Sequence, residues 1–178
     1  MENRKRMPAR VAWVVWGFLT VVQIALRFVL RHYDGAISAA LQGVGWVLWA
    51  LSCVFGWWPM VELRRKGGVA KGKSYTRTTV LVDSGMYGVV RHPQYLAFML
   101  INLALPLVTQ HWLIAALGVV GAILVYAGIL PAADRRNVER FGEAYRRYME
   151  RVPGVNVVAG ILRLVQRRSG APVSQGER

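Results

Sequence analysis

Four long apolar runs constrain what this chain can fold into. The second run, residues 36–61, and the fourth, residues 112–129, contain no charged residue, and only three polar residues interrupt the first, residues 11–30. The three are Thr20, Gln23 and Arg27. Because about 20 apolar residues cross the hydrocarbon core of a bilayer, these runs predict transmembrane helices. The third run, residues 95–109, spans a bilayer only if its helix begins earlier in the chain.

These runs predict an all-α integral membrane protein with about four transmembrane helices and C-terminal cytoplasmic amphipathic helices. The 178 residues leave little room for a separate soluble domain, so we expect one domain over 1–178. Its first apolar run is too long for a signal peptide and no small-residue cleavage site follows it, so the run is interpreted as a retained anchor. The divisions are a basic tail (1–10), helices one and two (11–61), a core (62–154) and a basic amphipathic segment with a tail (155–178).

The distribution of charge predicts the orientation in the membrane. The net charge is +14, and 21 of the 23 Lys and Arg residues lie in three segments: four in 1–10, seven in 62–91 and ten in 132–178. Such an excess on one side follows the positive-inside rule and places both termini in the cytoplasm. The basic surface then faces anionic lipid headgroups, in a prokaryotic inner or plasma membrane. No nucleic acid is expected as a partner, because no reading helix or base-stacking motif accompanies the charge.

The second apolar run contains small and aromatic residues with separate expected roles. Gly43 and Gly45 belong to no dinucleotide-binding loop, since no strand precedes them. They allow close helix packing, either within the chain or in a homodimer. Cys53 cannot form an internal disulfide and is expected to be a buried structural thiol. Trp57 and Trp58 suit an interfacial aromatic belt.

The segments that flank the last two runs carry weaker patterns. Residues 78–85 predict a short extended piece that ends in a turn. After Pro131, apolar residues recur at three- and four-residue steps and predict one amphipathic helix over 132–152 at the cytoplasmic face. Residues 155–168 predict a shorter basic helix lying on the membrane, and 169–178 a disordered tail.

Two clusters of polar residues lie at predicted membrane edges. Arg91, His92 and Tyr95 flank Pro93, where the third helix is expected to begin. The second cluster follows the fourth helix and comprises Asp134, Glu139, Tyr145 and Tyr148. Because helices three and four form an antiparallel hairpin, we expect both clusters at one membrane depth, around one pocket. Ionisable groups at such a depth favour a functional site.

Each of these residues also has an ordinary structural explanation. Arg91 could extend to lipid phosphates, and His92 beside Pro93 could cap a helix. The tyrosines could be belt aromatics, and Asp134 and Glu139 could form surface ion pairs of little energetic value.

Together the residues form a pattern that resembles a known family. "LVDSGMYGVVRHPQYLAFML", followed by "PAADRRNVERFGEAYRRYMERVPG", is similar to the isoprenylcysteine carboxyl methyltransferase family. That broad family includes phospholipid N-methyltransferase relatives. The resemblance covers residues 80–154, and the first two helices match only in hydropathy.

The resemblance implies a membrane methyltransferase that uses S-adenosylmethionine, with residues 62–154 as the cofactor-binding catalytic core and no metal. We predict that His92 chiefly orients the cofactor. The implied catalytic residues are Arg91, His92, Asp134 and Glu139. The implied cofactor-binding residues are Gly85, Tyr87, Val90, Arg91, His92, Tyr95, Asp134, Tyr145 and Tyr148.

One departure leaves the methyl acceptor open. Family members carry paired glutamates after the last span, where this chain has Ala133-Asp134. The acceptor could be an isoprenylcysteine-type carboxylate, a lipid amine or a thiol, on a lipophilic or small molecule, and membrane lipids are the expected partners. Two other classes remain as alternatives: a membrane reductase of the sterol-reductase type and a non-catalytic small membrane subunit.

Overall fold

A computed structural model describes residues 8–30 and 38–169, which contain helices and no strand. The predictions for residues 1–7, for the first outer turn at 31–37 and for the tail from 170 onward lie outside the described residues. The elements, in chain order, are α1 (Ala9–Val29), α2 (Ala39–Lys66), a 3₁₀ turn (Gly85–Gly88), α3 (Pro93–Thr109), α4 (Trp112–Ile123), a π-helical turn (Leu124–Ile129), α5 (Leu130–Phe141), α6 (Glu143–Arg151) and α7 (Val157–Arg168).

Three of these helical segments are long and apolar enough to cross a membrane: Ala9–Val29, Ala39–Lys66 and Trp112–Phe141. They confirm the predicted all-α membrane fold. The helix α3 begins at Pro93 as expected, but its 17 residues lie at the lower limit of the length that a span needs. A fourth crossing by α3 therefore stays a prediction. Over 78–85 the structure has no strand, and the segment leads into the 3₁₀ turn that begins at Gly85. An extended conformation along the whole of this segment stays a prediction.

The helix α2 is longer than its apolar run. The expected end at Val61 is wrong, because the helix continues through Glu62 to Lys66. Its 28 residues measure about 42 Å, which exceeds the roughly 30 Å hydrocarbon core. Three cations, Arg64, Arg65 and Lys66, occupy its last turn, where positive charge stabilises the helix dipole. Cys53 is exposed on this helix rather than buried as expected, since most of the α2 surface is covered by no protein.

The last spanning segment does not end at Ile129 as expected. A π-helical turn at Leu124–Ile129 joins α4 to α5, and the helix runs through Pro131 to Phe141. Proline has no N–H for the preceding turn and crowds its carbonyl, so a widened turn just before Pro131 lets the helix continue. The single amphipathic helix expected over 132–152 is also wrong. Gly142, at φ +58°, breaks it into α5 and α6 in a conformation that favours glycine.

The described chain forms two compact units. The first consists of Met1–Gly56 and Gln94–Arg135, and the second of Trp57–Pro93 and Arg136–Arg178. The expectation of a single domain stays a prediction. In the first unit, α1 packs against α4 and the π-helical turn around buried Ala12, Val125 and Ile129. Gly45 lets α2 approach α3, because a Cβ there would lie 2.8 Å from the Val108 side chain, whereas Gly43 has no atom within 4 Å.

A polar junction inside the first unit joins α1, α3 and α4. The buried Gln23 amide donates to the backbone carbonyls of Asn102 and Ile114, both at 3.1 Å. Asn102, also fully buried, donates to the Phe98 carbonyl at 2.7 Å. Gly118 makes room for the junction, since a Cβ there would collide with the Asn102 carbonyl and lie 2.7 Å from Gln23 Nε2. Backbone carbonyls thus accept from the amide groups, for which lipid offers no acceptor, whereas the amide oxygens of Gln23 and Asn102 have no partner among the described residues.

We expect Gly118→Ala to destabilise the protein, because the added methyl must displace backbone rather than a flexible side chain. Overpacking of this kind costs about 1–3 kcal/mol. Denaturant unfolding in detergent, followed by circular dichroism, measures the change. Gly43→Ala is the matched control, since it adds the same methyl to a helix where nothing lies within 4 Å. Equal stability of the two variants would contradict the role given to Gly118.

Candidate active site

The 3₁₀ turn that precedes the Arg91-His92-Pro93 segment is anchored to the end of α2. The Met86 N–H donates to Glu62 Oε2 at 3.0 Å, and Lys66 Nζ donates to Glu62 Oε1 at 2.9 Å. Gly85, at φ +62°, adopts the left-handed conformation, and a Cβ there would collide with the Glu62 carboxylate. Glu62 is therefore a positioning residue for the turn. Sequence analysis missed it, although a carboxylate directly after an apolar run and four residues before a lysine was the available signal.

Arg91 fastens this segment to the end of α6. Its Nη1 donates to the carbonyls of Met149 and Val152, both at 2.8 Å. The Arg91 backbone N–H donates to the Pro153 carbonyl at 2.9 Å, and the His92 N–H to the Gly154 carbonyl at 3.0 Å. We call these four bonds the Arg91 clamp. A helix end leaves its last carbonyls without partners, and the guanidinium supplies donors to them.

His92 lies against α6 and α5 within the same unit. Its Nε2 is 3.4 Å from the Tyr145 hydroxyl, and Asn137 Nδ2 donates to that hydroxyl at 3.2 Å. His92 and Tyr145 are both buried. The three side chains therefore form a chain of polar groups that holds the imidazole in place. Asn137 is a further residue that the sequence did not single out.

Tyr148 connects α6 to the 3₁₀ turn. Its hydroxyl donates to the Tyr87 carbonyl at 2.6 Å, and its ring contacts the Tyr145 ring at 5.6 Å in an edge-on arrangement. Tyr145, Tyr148 and Val152 form the buried core of this unit. Burial raises the pKa of the Tyr148 phenol above its ordinary value, and the neighbouring Tyr145 and Tyr87 raise it further against the opposing Arg91. The phenol is thus a hydrogen-bond donor at any physiological pH.

The structure brings five predicted site residues into this cluster of the second unit. They are Tyr87, Arg91, His92, Tyr145 and Tyr148. Val90 and Gly85 belong to the same segment, with Val90 fully buried. Glu139 is exposed on α5. The catalytic and cofactor-binding roles of all these residues stay predictions.

The remaining two predicted residues belong to the first unit. Tyr95 packs beside Trp13, with ring centroids 5.8 Å apart, on the cluster formed by Ala12, Val125 and Ile129. Asp134 is buried near the start of α5, at 9% exposure. A pocket that combines Tyr95 and Asp134 with the cluster of the second unit stays a prediction.

The arrangement defines a class of protein: an all-helical membrane protein with a buried set of phenols and an imidazole beside a half-buried guanidinium. The chain belongs to the phospholipid methyltransferase family, whose family model matches residues 41–132, more than half of the chain. No curated protein matches it. As a member of this family, the chain is classed as a membrane methyltransferase. The match ends at Ala132, so Asp134 and the tyrosines of α6 lie beyond the matched residues.

We expect Gly85→Ala to destabilise the protein more than Gly72→Ala. Both glycines have positive φ, which costs about 1–2 kcal/mol for another residue, but only Gly85 faces a carboxylate. Thermal unfolding in detergent compares the two variants. In a Glu62→Ala background the excess cost at Gly85 should fall, because the obstructing carboxylate is gone. An excess that persists in the double variant would show that Glu62 does not set the position of the turn.

We expect Tyr148→Phe to cost about 1–3 kcal/mol of stability, because the Tyr87 carbonyl loses a buried partner. Tyr75→Phe, in the preceding loop, is the control. The raised pKa of Tyr148 also has a consequence for pH dependence. A proton held more tightly in the folded state gives stability that is complete below the ordinary tyrosine pKa of 10.0 and is lost as the pH rises above it.

Unfolding temperatures between pH 8 and 11 check this sign. The wild-type protein and Tyr75→Phe should lose stability above about pH 10 more steeply than Tyr148→Phe does. Identical alkaline slopes in all three proteins would contradict the burial of the Tyr148 phenol.

Proposed function

We propose that this chain is an integral membrane methyltransferase that uses S-adenosylmethionine and methylates a lipophilic or small acceptor at the cytoplasmic membrane face. Membership of the phospholipid methyltransferase family supports the reaction type. The observation that carries the proposal is the Arg91 clamp. It brings the two segments of the family-like pattern, the Arg91-His92-Pro93 segment and the end of α6, into one folded unit.

The chemistry of the predicted residues suits the cofactor. When bound, S-adenosylmethionine supplies a methyl group whose bond to a sulfonium breaks as the bond to the acceptor forms. The guanidinium of Arg91 suits a carboxylate, and the buried carboxylate of Asp134 suits an ammonium or ribose hydroxyls. Tyrosine faces attract a cation and pack against adenine. The resemblance assigns six further residues to the cofactor site: Gly85, Tyr87, Val90, Tyr95, Tyr145 and Tyr148.

The chemical class of the acceptor decides whether the site needs a residue that accepts a proton. An anionic acceptor, such as a carboxylate or thiolate, attacks without losing a proton, so the enzyme need only align it and exclude water. An amine must first lose a proton, and Asp134, Glu139 or His92 would accept it. The description of the family favours a lipid amine. For His92 we propose a role in orienting the cofactor, with Tyr145 and Asn137 behind it.

The first test is calorimetric binding of S-adenosylmethionine and its demethylated product to the detergent-purified protein. We expect binding that His92→Ala weakens at least tenfold and Asp134→Asn weakens as well. Arg91→Ala is less informative, because it also removes the bonds to the end of α6. Glu143→Gln is the control, since Glu143 is an exposed carboxylate on α6. Unchanged affinity in His92→Ala would reject its cofactor role, and absence of binding in a folded protein would reject the methyltransferase proposal.

The second test identifies the acceptor class. Transfer of labelled methyl groups into a lipid extract should label a product, and its stability to alkali separates the alternatives. A methyl ester of a carboxylate is hydrolysed by alkali, whereas a methylated amine or a thioether is stable. A base-stable product that partitions with phospholipid headgroups would support the lipid amine. A base-labile product would support an isoprenylcysteine-type carboxylate instead.

A further inference from the structure

The last helix, α7, has two opposite faces with different chemistry. One face carries four exposed aliphatic residues at the spacing of a single helical stripe: Val158, Ile161, Leu162 and Val165. Their exposed fractions lie between 49% and 69% within the described part of the chain. We call these four residues the aliphatic stripe. A stripe of this kind on the surface of a folded unit indicates that something apolar covers it.

The opposite face of α7 is docked on the turn that begins the candidate site. Gly160 is buried there, and a Cβ at Gly160 would collide with the Val89 carbonyl. Arg167 Nη2 donates to the Gly88 carbonyl at 3.3 Å. Arg163 donates to the Glu150 carbonyl of α6 at 3.3 Å. The helix therefore touches the residues directly before Val90 and Arg91.

We propose that α7 is an interfacial lipid-binding helix that couples an anionic membrane surface to the 3₁₀ turn of the candidate site. The aliphatic stripe enters the boundary between headgroups and acyl chains, while the docked face stays on Gly88 and Val89. Contact of α7 with lipid then stabilises the 3₁₀ turn, because the same rigid helix contacts the lipid on one face and the turn on the other.

Charge and tether length favour lipid as the occupant. The helix carries three arginines, Arg163, Arg167 and Arg168, and no acidic residue. Arg163 and Arg167 each donate to a carbonyl of the docked face, but the net positive charge of the helix still attracts anionic headgroups at short range. Residues 142–156 separate it from the last spanning segment and reach at most about 50 Å when fully extended. The stripe therefore stays within that distance of the end of the last spanning segment. The following residues, "SGAPVSQGER", are mostly polar and match an aliphatic surface poorly.

Cysteine accessibility in nanodiscs tests where the stripe lies. Leu162→Cys and Gln166→Cys are introduced into the full-length chain in a Cys53→Ser background, because Cys53 is exposed. In discs of mixed phosphatidylcholine and phosphatidylglycerol we expect a membrane-impermeant maleimide to label position 162 at least tenfold more slowly than position 166. The protection should fall in discs of phosphatidylcholine alone. Equal labelling of the two positions would overturn the proposal.

A second copy of the chain and the C-terminal tail are the other occupants that the experiment separates. Protection that appears only with two protein copies in a disc would assign the stripe to a dimer. Protection that disappears when residues 170–178 are removed would assign it to the tail. Protection that is equally strong without phosphatidylglycerol would overturn the preference for anionic lipid.

Hydrogen exchange tests the coupling to the turn. Leu162→Asp places a charge in the stripe, whereas Gln166→Asp places the same charge beside it and serves as the control. In phosphatidylglycerol-containing discs we expect amides of residues 88–92 to exchange several-fold faster in Leu162→Asp and at the wild-type rate in Gln166→Asp. Equal rates in both variants would overturn the coupling. No cofactor is present in these experiments, so their outcome is independent of the proposed methyl transfer.

Discussion

The Arg91 clamp is the interaction on which the second unit depends. Arg91 and Val152 are 61 positions apart, and closing such a loop costs chain entropy that local bonds do not recover. Four hydrogen bonds at one point offset this entropy cost. Two come from the guanidinium, and one each comes from the backbone N–H groups of Arg91 and His92. A rigid, permanently charged fork suits this role better than a flexible ammonium does. The imidazole of His92 is then fixed from both its backbone and its ring.

Polar residues inside apolar helices follow a different constraint. Lipid offers no hydrogen bonds, so Gln23 and Asn102 must find partners within the protein. The Gln23 amide donates to backbone carbonyls of two neighbouring helices, and the Asn102 amide donates to a carbonyl of its own helix. Small residues such as Gly118 let the helices come close enough. Most of the surface of α1 and α2 is exposed, so their stability in the membrane depends on lipid rather than on a protein core. The close helix contacts at Gly45 and Gly118 in the first unit are places where one added methyl matters.

The sequence predicts where the helices lie but not where they end, for physical reasons. Apolar runs predict where a helix crosses a membrane, and Pro93 marked the start of α3 correctly because proline suits a first helical turn. The expected ends of α2 and of the last spanning segment were wrong, since charged residues continue a helix as readily as apolar ones do. The break at Gly142 between α5 and α6 was not expected. The proximity of Arg91 and His92 to Tyr145 and Tyr148 was expected from the predicted hairpin of helices three and four and from the resemblance. Glu62 and Asn137 were not, because only the fold brings them to that segment.

The departure at Ala133-Asp134 bears on the acceptor of the proposed methyl transfer. Ala133 is 4% exposed and Asp134 is 9% exposed, so the second carboxylate of the family pattern is missing from a buried place rather than from the surface. A glutamate at position 133 would bring a second negative charge and a longer side chain to that place, and two close carboxylates cannot both ionise without cost. A single carboxylate leaves less negative charge to repel an anionic acceptor. It can still receive the proton that an amine must lose, provided that it lies near the acceptor. The Ala133-Asp134 pair is therefore compatible with both acceptor classes, and the preference for a lipid amine rests on the family rather than on this pair.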